Sequence, residues 1–253
     1  MKKAILIILL LIATSAAISQ NRDIHIVFIG NSITYGSKLE NKEQEAAPVK
    51  AVEYLRQQPG IRNITFSNQG VSGKTTVDFL PVSETYFPKV REAALISHNN
   101  NSQLVFSIML GTNDSAEKGP NGSPVSPQQY YTNMKVIIDE LLSLYPDAII
   151  VINRPIWYST NTHNRSVYLK KGLERLNTYL PMIERLVTDY SKKKPMHVYL
   201  GDTKAYAYFE QNYLETFTHE EGEAGTFFLH PNKAGAESLG RYWAEAIYNI
   251  LKR

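Results

Sequence analysis

A serine hydroxyl becomes a useful nucleophile when an imidazole stands ready to take its proton. This chain offers both groups at positions where they can meet. One is in Gly30-Asn31-Ser32-Ile33-Thr34, directly after a strongly apolar run; the other is in His230-Pro231-Asn232, ahead of the last helical pattern. Two further polar junctions follow apolar runs: Asn68-Gln69-Gly70-Val71-Ser72-Gly73-Lys74-Thr75-Thr76 and Gly111-Thr112-Asn113-Asp114. Acyl transfer has a use for each part. The tetrahedral intermediate places negative charge on the former carbonyl oxygen, and each fixed N–H donor that meets it is worth about 10²–10³ in rate. Glycine lets backbone approach a ligand closely, and asparagine supplies a neutral donor. Singly, each piece has an ordinary explanation. A serine after Gly-Asn is usually turn chemistry, a Gly-Thr-Asn-Asp loop a helix entry, and a His-Pro pair a helix start. Their order and joint placement carry the signal.

Five runs rich in Val, Ile and Phe recur at wide spacing: Ile24–Ile29, Ile64–Ser67, Leu104–Leu110, Ala148–Ile152 and His197–Leu200. The first, third and fourth are apolar nearly throughout, as suits strands covered on both faces of a parallel sheet. Helical patterns separate them. Ser126-Pro127-Gln128-Gln129 has an N-cap serine, a proline at the first helical position and a capping-box glutamine; Met134, Ile137, Ile138, Leu141, Leu142 and Tyr145 form the stripe that follows. A second helical stretch, from about Val167 to Tyr190, is interrupted by Pro181 and is expected to kink or split. The last helix begins near Pro231-Asn232 and carries Leu239, Trp243, Ala246, Ile247 and Ile250 on one face. Alternating strands and helices indicate one doubly wound α/β domain over residues 20–253, whose ligands bind beyond the carboxyl ends of the strands.

With those motifs in place, the chain resembles the SGNH (GDSL) hydrolase family. Gly30-Asn31-Ser32 is similar to the family's first block, Gly-Asp-Ser; Gly70 to the glycine of the second; Gly111-Thr112-Asn113-Asp114 to the third, Gly-x-Asn-Asp; and His230-Pro231 to the end of the last, Asp-x-x-His-Pro. The resemblance covers nearly everything from Ile24 to the C-terminal helix. It implies a three-layer α/β/α sandwich with a five-stranded parallel sheet in flavodoxin-like order. It also implies Ser32 as nucleophile, His230 as general base, and an oxyanion hole from the backbone N–H groups of Ser32 and Gly70 with the side chain of Asn113. Neither a metal nor an organic cofactor enters that mechanism. The chain departs from the pattern twice. Asn31 replaces the acid of the first block, and Phe227 stands three residues before His230, where the family has the aspartate that orients the imidazole. Glu223 and Asp202 are the replacement carboxylates to consider. A backbone carbonyl accepting the Nδ1 proton, leaving a Ser–His dyad, is slightly preferred.

Composition narrows the rest. The chain has 253 residues, 43% hydrophobic and 20% charged, an ordinary globular mixture that excludes disorder and collagen. Met1-Lys2-Lys3, the apolar run Ala4–Ile12 and the small residues to Ser19 have the layout of a secretory signal with cleavage after Ala17 or Ser19. The expectation is a protein exported to the periplasm or beyond the cell. Formal charge falls from 27 − 24 = +3 to 25 − 24 = +1 once Lys2 and Lys3 are removed, too even for a nucleic-acid or polybasic membrane surface. With no cysteine, disulfides, thiolate zinc sites and a cysteine nucleophile are excluded. Gly73-Lys74-Thr75 ends like a phosphate-binding loop, but Asn68 occupies the position where the Walker pattern needs its first glycine. His25, His98, His163, His197 and His219 lack metal-ligand spacing, and only His163, in a polar loop, rivals His230 as a base. Pro155-Ile156-Trp157-Tyr158 and the aromatic residues Tyr206, Tyr208, Phe209, Tyr213 and Phe217 are expected either to wall the pockets or to sit in the core. The family resemblance and the export signal point to an O-acetylesterase acting on a small-molecule or glycan ester. A lysophospholipase or thioesterase on longer acyl chains, and a non-catalytic glycan-binding relative, are the alternatives.

Overall fold

The computed structural model describes residues 22–99 and 101–253, so the expected signal segment lies outside the described residues. Five parallel strands form the central sheet: β1 (Arg22–Gly30), β2 (Ile61–Gly70), β3 (Gln103–Met109), β4 (Ile149–Ile152) and β5 (Val198–Leu200). Their order is β2-β1-β3-β4-β5, the flavodoxin-like arrangement. An antiparallel pair, β6 (Glu220–Gly222) and β7 (Gly225–Phe227), stands apart from this sheet. The helices are α1 (Ser32–Tyr35), α2 (Lys42–Glu45), α3 (Ala47–Leu55), α4 (Phe87–Asn99), α5 (Pro127–Leu144), α6 (Leu169–Asn177), α7 (Tyr179–Lys193), α8 (Ala205–Gln211), α9 (Tyr213–Thr216) and α10 (Lys233–Leu251).

Strands β1, β3 and β4 are buried on both faces, which explains why their sequences run apolar instead of alternating. Successive side chains of β1 serve opposite layers. Phe28 stacks on Trp243 of α10, with ring centroids 5.9 Å apart, while His25 turns the other way and bonds the Ala93 carbonyl of α4 at 3.0 Å. Helix α10 also packs on α3 to complete the first layer, and α5 packs on α7 in the second. His25, wholly buried in its strand, also reaches Thr65 Oγ1 at 2.8 Å; burial lowers its pKa and favours the neutral ring.

Local signals shape the helix ends. Ser126 Oγ accepts the Gln129 N–H at 3.1 Å, forming half of the expected capping box. The other half does not form, because Gln129 donates its amide to Asn133 Oδ1 at 2.7 Å. The stretch around Pro181 splits into α6 and α7, with the break at Thr178. Pro181 sits within the first turn of α7, where its missing N–H costs no helical bond and its ring excludes continuation from α6. Among the described residues, no helix is long and apolar enough to cross a membrane.

Candidate active site

Three adjacent strands end at one level. The register pairs Gly30 with Gly70 on one side and with Met109 on the other, so the segments carrying Ser32, Gly70 and Asn113 leave the sheet together. Ser32 opens α1, a single turn capped by Asn31, whose Oδ1 accepts the Ile33 N–H at 3.0 Å. Asparagine caps as well as aspartate does, so the departure at residue 31 leaves the position of Ser32 intact. Gly36 ends the turn in the left-handed conformation, with φ 89°.

The histidine arrives from the opposite end of the chain. Thr218 N–H donates to the His230 carbonyl at 2.9 Å and Asn232 N–H to the Thr216 carbonyl at 3.0 Å, which ties residues 230–232 to the segment before β6. His230 Nε2 lies 2.9 Å from Ser32 Oγ. Its Nδ1 lies 2.7 Å from Glu220 Oε1, and the same oxygen accepts the His230 backbone N–H at 3.2 Å. Ser32, His230 and Glu220 are all more than nine-tenths buried. Burial pushes the Glu220 carboxyl upward; the hydrogen bond and charge of His230, with the Lys38 ammonium 3.5 Å from Oε2, outweigh it and hold the group below its usual range.

This corrects the expectation for the orienting group. The preferred dyad does not form, and neither named carboxylate reaches the imidazole. Glu223 is exposed and lies 3.2 Å from His163 Nε2, so the rival base and the rival acid pair with each other. Asp202 caps α8, accepting from Lys204 N and Ala205 N at 3.0 and 3.1 Å. Glu220 takes the role because β6 and β7 pair antiparallel with Glu220 directly opposite Phe227. Residues directly opposite across a ladder share a face. The carboxylate has thus moved one strand over from the position three before the histidine. The signal was the turn Gly222-Glu223-Ala224-Gly225, with Gly225 at φ 87°, whose hairpin register selects Glu220.

The three donors expected for the oxyanion are unequally available. Ser32 N–H, at the start of α1, has no partner among the described residues, as helix geometry requires of a first-turn donor. Asn113 is locked by two bonds: Oδ1 accepts from Tyr168 Oη at 2.6 Å, and Nδ2 donates to the Lys74 carbonyl at 2.8 Å. One amide hydrogen of Nδ2 is left over. Gly70 N–H, expected as a free donor, is engaged by Asn68 Oδ1 at 2.9 Å. Asn68 also donates to the Thr34 carbonyl at 2.9 Å, so this side chain pins the end of β2 to α1. The glycine itself is needed for another reason. A Cβ there would stand 2.3 Å from Tyr35 N, inside the turn that carries Ser32.

The aromatic residues divide between the two expectations. Phe209 and Phe217 are core, whereas Tyr213 is only partly buried and packs against both Trp157 and Phe228. Gly73-Lys74-Thr75 holds no phosphate-loop geometry: no helix follows it, and Lys74 lies 3.6 Å from Asp78. Among the described residues, no group of three His, Cys, Asp or Glu side chains is placed to hold a metal ion.

A hydroxyl, an imidazole and a carboxylate in hydrogen-bonded series at the carboxyl edge of a parallel α/β sheet define a hydrolase of the serine type. The sequence model of the GDSL-like lipase/acylhydrolase family matches residues 28–237, and the chain belongs to that family, the SGNH esterases. Its fold is similar to those of a lipase/acylhydrolase from Enterococcus faecalis (TM-score 0.59, 16% identity, 89% of this chain and 95% of that one) and of the M. smegmatis aryl esterase (0.59, 16%, 89% and 99%). An acetylxylan esterase from Geobacillus stearothermophilus is similar to the same degree (0.59, 16%, 92% and 94%). Comparison with curated proteins finds no match.

Proposed function

We propose that this protein removes acetyl groups from carbohydrates by way of an acyl-enzyme on Ser32. The observation that carries the reading is the unbroken series Ser32 Oγ, His230 Nε2, His230 Nδ1, Glu220 Oε1, at 2.9 and 2.7 Å. In the first half-reaction His230 takes the Ser32 proton as Oγ attacks the ester carbonyl. The tetrahedral oxyanion is met by Ser32 N–H and the spare amide hydrogen of Asn113; Gly70 N–H joins them by sharing its hydrogen between Asn68 and the oxyanion. The imidazolium then returns its proton to the departing alcohol, and water repeats the sequence to release acetate. Glu220 stays ionised throughout and holds the tautomer that keeps Nε2 free to accept.

Acetyl specificity and the sugar leaving group are supported by the family resemblance taken together with the export signal, and by the similarity of fold to an acetylxylan esterase. Export rests on the basic-apolar-small layout of residues 1–19. Mature protein beginning after Ala17 or Ser19 is the expected result of N-terminal sequencing, and a mature chain starting at Met1 removes that part of the proposal. The activity is tested by acetate release from acetylated oligosaccharides and by a chain-length series of p-nitrophenyl esters, each with wild type and Ser32→Ala. Expected are a preference for acetate over octanoate and loss of turnover in the variant. Preference for octanoate transfers the reading to long-chain acyl esters; retention of activity in Ser32→Ala ends it.

A further inference from the structure

A cleft of about 540 Å³ opens beside the imidazole, and the mechanism as described leaves it without a role. His230, Lys38 from the turn after α1, Asn164 and Arg165 from the loop after β4, and Thr218 and His219 ahead of β6 line it. Its volume is within the roughly 300–1,000 Å³ typical of small-molecule sites. Neither Asn113 nor Gly70 is among its lining residues, so it lies on the histidine side of Ser32 and away from the oxyanion donors.

That placement assigns it to one half of the ester. The carbonyl oxygen must face the oxyanion donors, while the alcohol oxygen must come within hydrogen-bond reach of His230 Nε2 to collect its proton. The alcohol half therefore extends over the histidine, toward this cleft. Its lining sets hydrogen-bonding groups beside apolar surface, Phe227 included. Asn164 Nδ2, the Arg165 guanidinium, Thr218 Oγ1 and the His219 ring nitrogens have no hydrogen-bond partner among the described residues. The charges cancel. Lys38 is matched by Glu220, and the only other ionic groups on the lining are Arg165 and Glu221. The exposed His219 ring packs edge to face on Phe228, with centroids 5.0 Å apart, and adds a flat apolar surface among the donors. Donors and acceptors beside ring surfaces, with no net charge, fit a hydroxyl-rich neutral ring. An alkyl chain would leave those polar groups unsatisfied, and an acidic sugar would meet Glu221 as well as Arg165.

We infer that this cleft is the leaving-group subsite and that it takes a neutral sugar, with Asn164 and Arg165 as specificity-determining residues. The inference rests on the proposed esterase reading, so the experiment separates the two. Wild type, Asn164→Ala and Arg165→Ala are assayed on acetylated xylo- and manno-oligosaccharides and, in parallel, on p-nitrophenyl acetate, which presents the same acyl group without a sugar. The expected result is a rise in KM on the oligosaccharides of about three- to tenfold, the worth of one hydrogen bond to a bound hydroxyl, clearly exceeding any change on p-nitrophenyl acetate. Equal effects on both substrates, or none on either, overturn the subsite. So does faster turnover of an acetylated uronic-acid oligosaccharide than of its neutral counterpart. Wild type that cleaves p-nitrophenyl acetate but no sugar ester overturns the subsite while sparing the esterase. Wild type that cleaves neither ends the parent reading. In that event, binding of the deacetylated oligosaccharides to Ser32→Ala, weakened by Arg165→Ala, measures the cleft without turnover, and no binding disposes of it.

Discussion

Glu220 bonds one imidazole nitrogen so that the other is left facing the serine. Replacing its acceptor oxygen with an amide reverses that preference, because the glutamine amide can donate to Nδ1 and present the wrong tautomer to Ser32. Glu220→Gln is therefore expected to lower kcat by about 10²–10⁴ with little change in KM. Glu223→Gln, which breaks only an exposed contact with His163, should remain within a few-fold of wild type. A Glu220→Gln enzyme as active as Glu223→Gln would mean that backbone alone fixes the ring. Asn113 depends on a neighbour in the same way. Its donor hydrogen is aimed by the Tyr168 hydroxyl on Oδ1 and by the Lys74 carbonyl on Nδ2. Asn113→Ala removes the donor and should cost about 10²–10³ in kcat. Tyr168→Phe leaves the donor but loosens its aim, and a loss of roughly tenfold is expected, carried by kcat. If Tyr168→Phe changes KM alone, Tyr168 is a binding residue and the positioning role is wrong.

At the scale of elements, the site is a junction of two pieces that the sheet places but does not hold. Helix α1 is one turn long, far too short to be stable alone, and it is kept in place by the backbone it lies against. Gly70 is the closest part of that support. Gly70→Ala puts a methyl 2.3 Å from Tyr35 N and 2.7 Å from the Thr34 carbonyl carbon, so α1 must lift and carry Ser32 away from His230. Overpacking of this kind costs about 1–3 kcal/mol, and a displacement near 1 Å at a reacting atom costs about 10² in rate. Thermal melts should show a modest loss while kcat falls far more steeply; a variant that loses stability but keeps its kcat would show that α1 is held from elsewhere. The second piece, the β6–β7 hairpin, shows what a sequence conceals. Apolar runs marked the five sheet strands because burial on two faces leaves a long hydrophobic record. The segment Glu220-Glu221-Gly222-Glu223-Ala224-Gly225-Thr226-Phe227 has no such run, and three of its residues are carboxylates. Choosing among them needs the cross-strand register, which the turn sets and hydrophobic pattern does not. Ser32, Asn113 and His230 were legible because each sits in a short fixed-spacing motif at an element boundary; Glu220 meets His230 only through tertiary pairing. The occupied Gly70 N–H was hidden for the same kind of reason, since its partner Asn68 lies two residues away in a strand whose pattern gave no sign of that bond.

For the molecule as a whole, the same loops that carry the site set a pH dependence of stability through Asp114. This carboxyl is fully buried next to Asn113 and accepts from Thr76 N at 3.0 and 3.2 Å and from the Thr76 hydroxyl. Burial pushes its pKa up to about 6 in spite of those bonds. In the unfolded chain the group returns to its ordinary value of 3.8. Between those two values the folded state binds the proton more tightly than the unfolded state, so Asp114 favours folding less and less as pH rises through that interval. Above about pH 6 both states are ionised and the full penalty, about 3 kcal/mol for a shift of about two units, is in force. Below the lower value both states are protonated and the penalty vanishes. Other carboxylates have their own pH dependence, so the contribution of this one is isolated by Asp114→Asn, which cannot titrate and keeps one oxygen for Thr76. The difference in Tm, variant minus wild type, should move in favour of the variant between pH 4 and pH 7, by about 5–10 °C for a domain of this size. Its absolute sign at either end depends on how well the asparagine amide is accommodated, but its slope does not. A difference that stays flat across that range would mean that Asp114 titrates alike folded and unfolded. The Thr76 bonds would then offset the burial completely, and the loop bearing Asn113 would carry no electrostatic penalty at neutral pH.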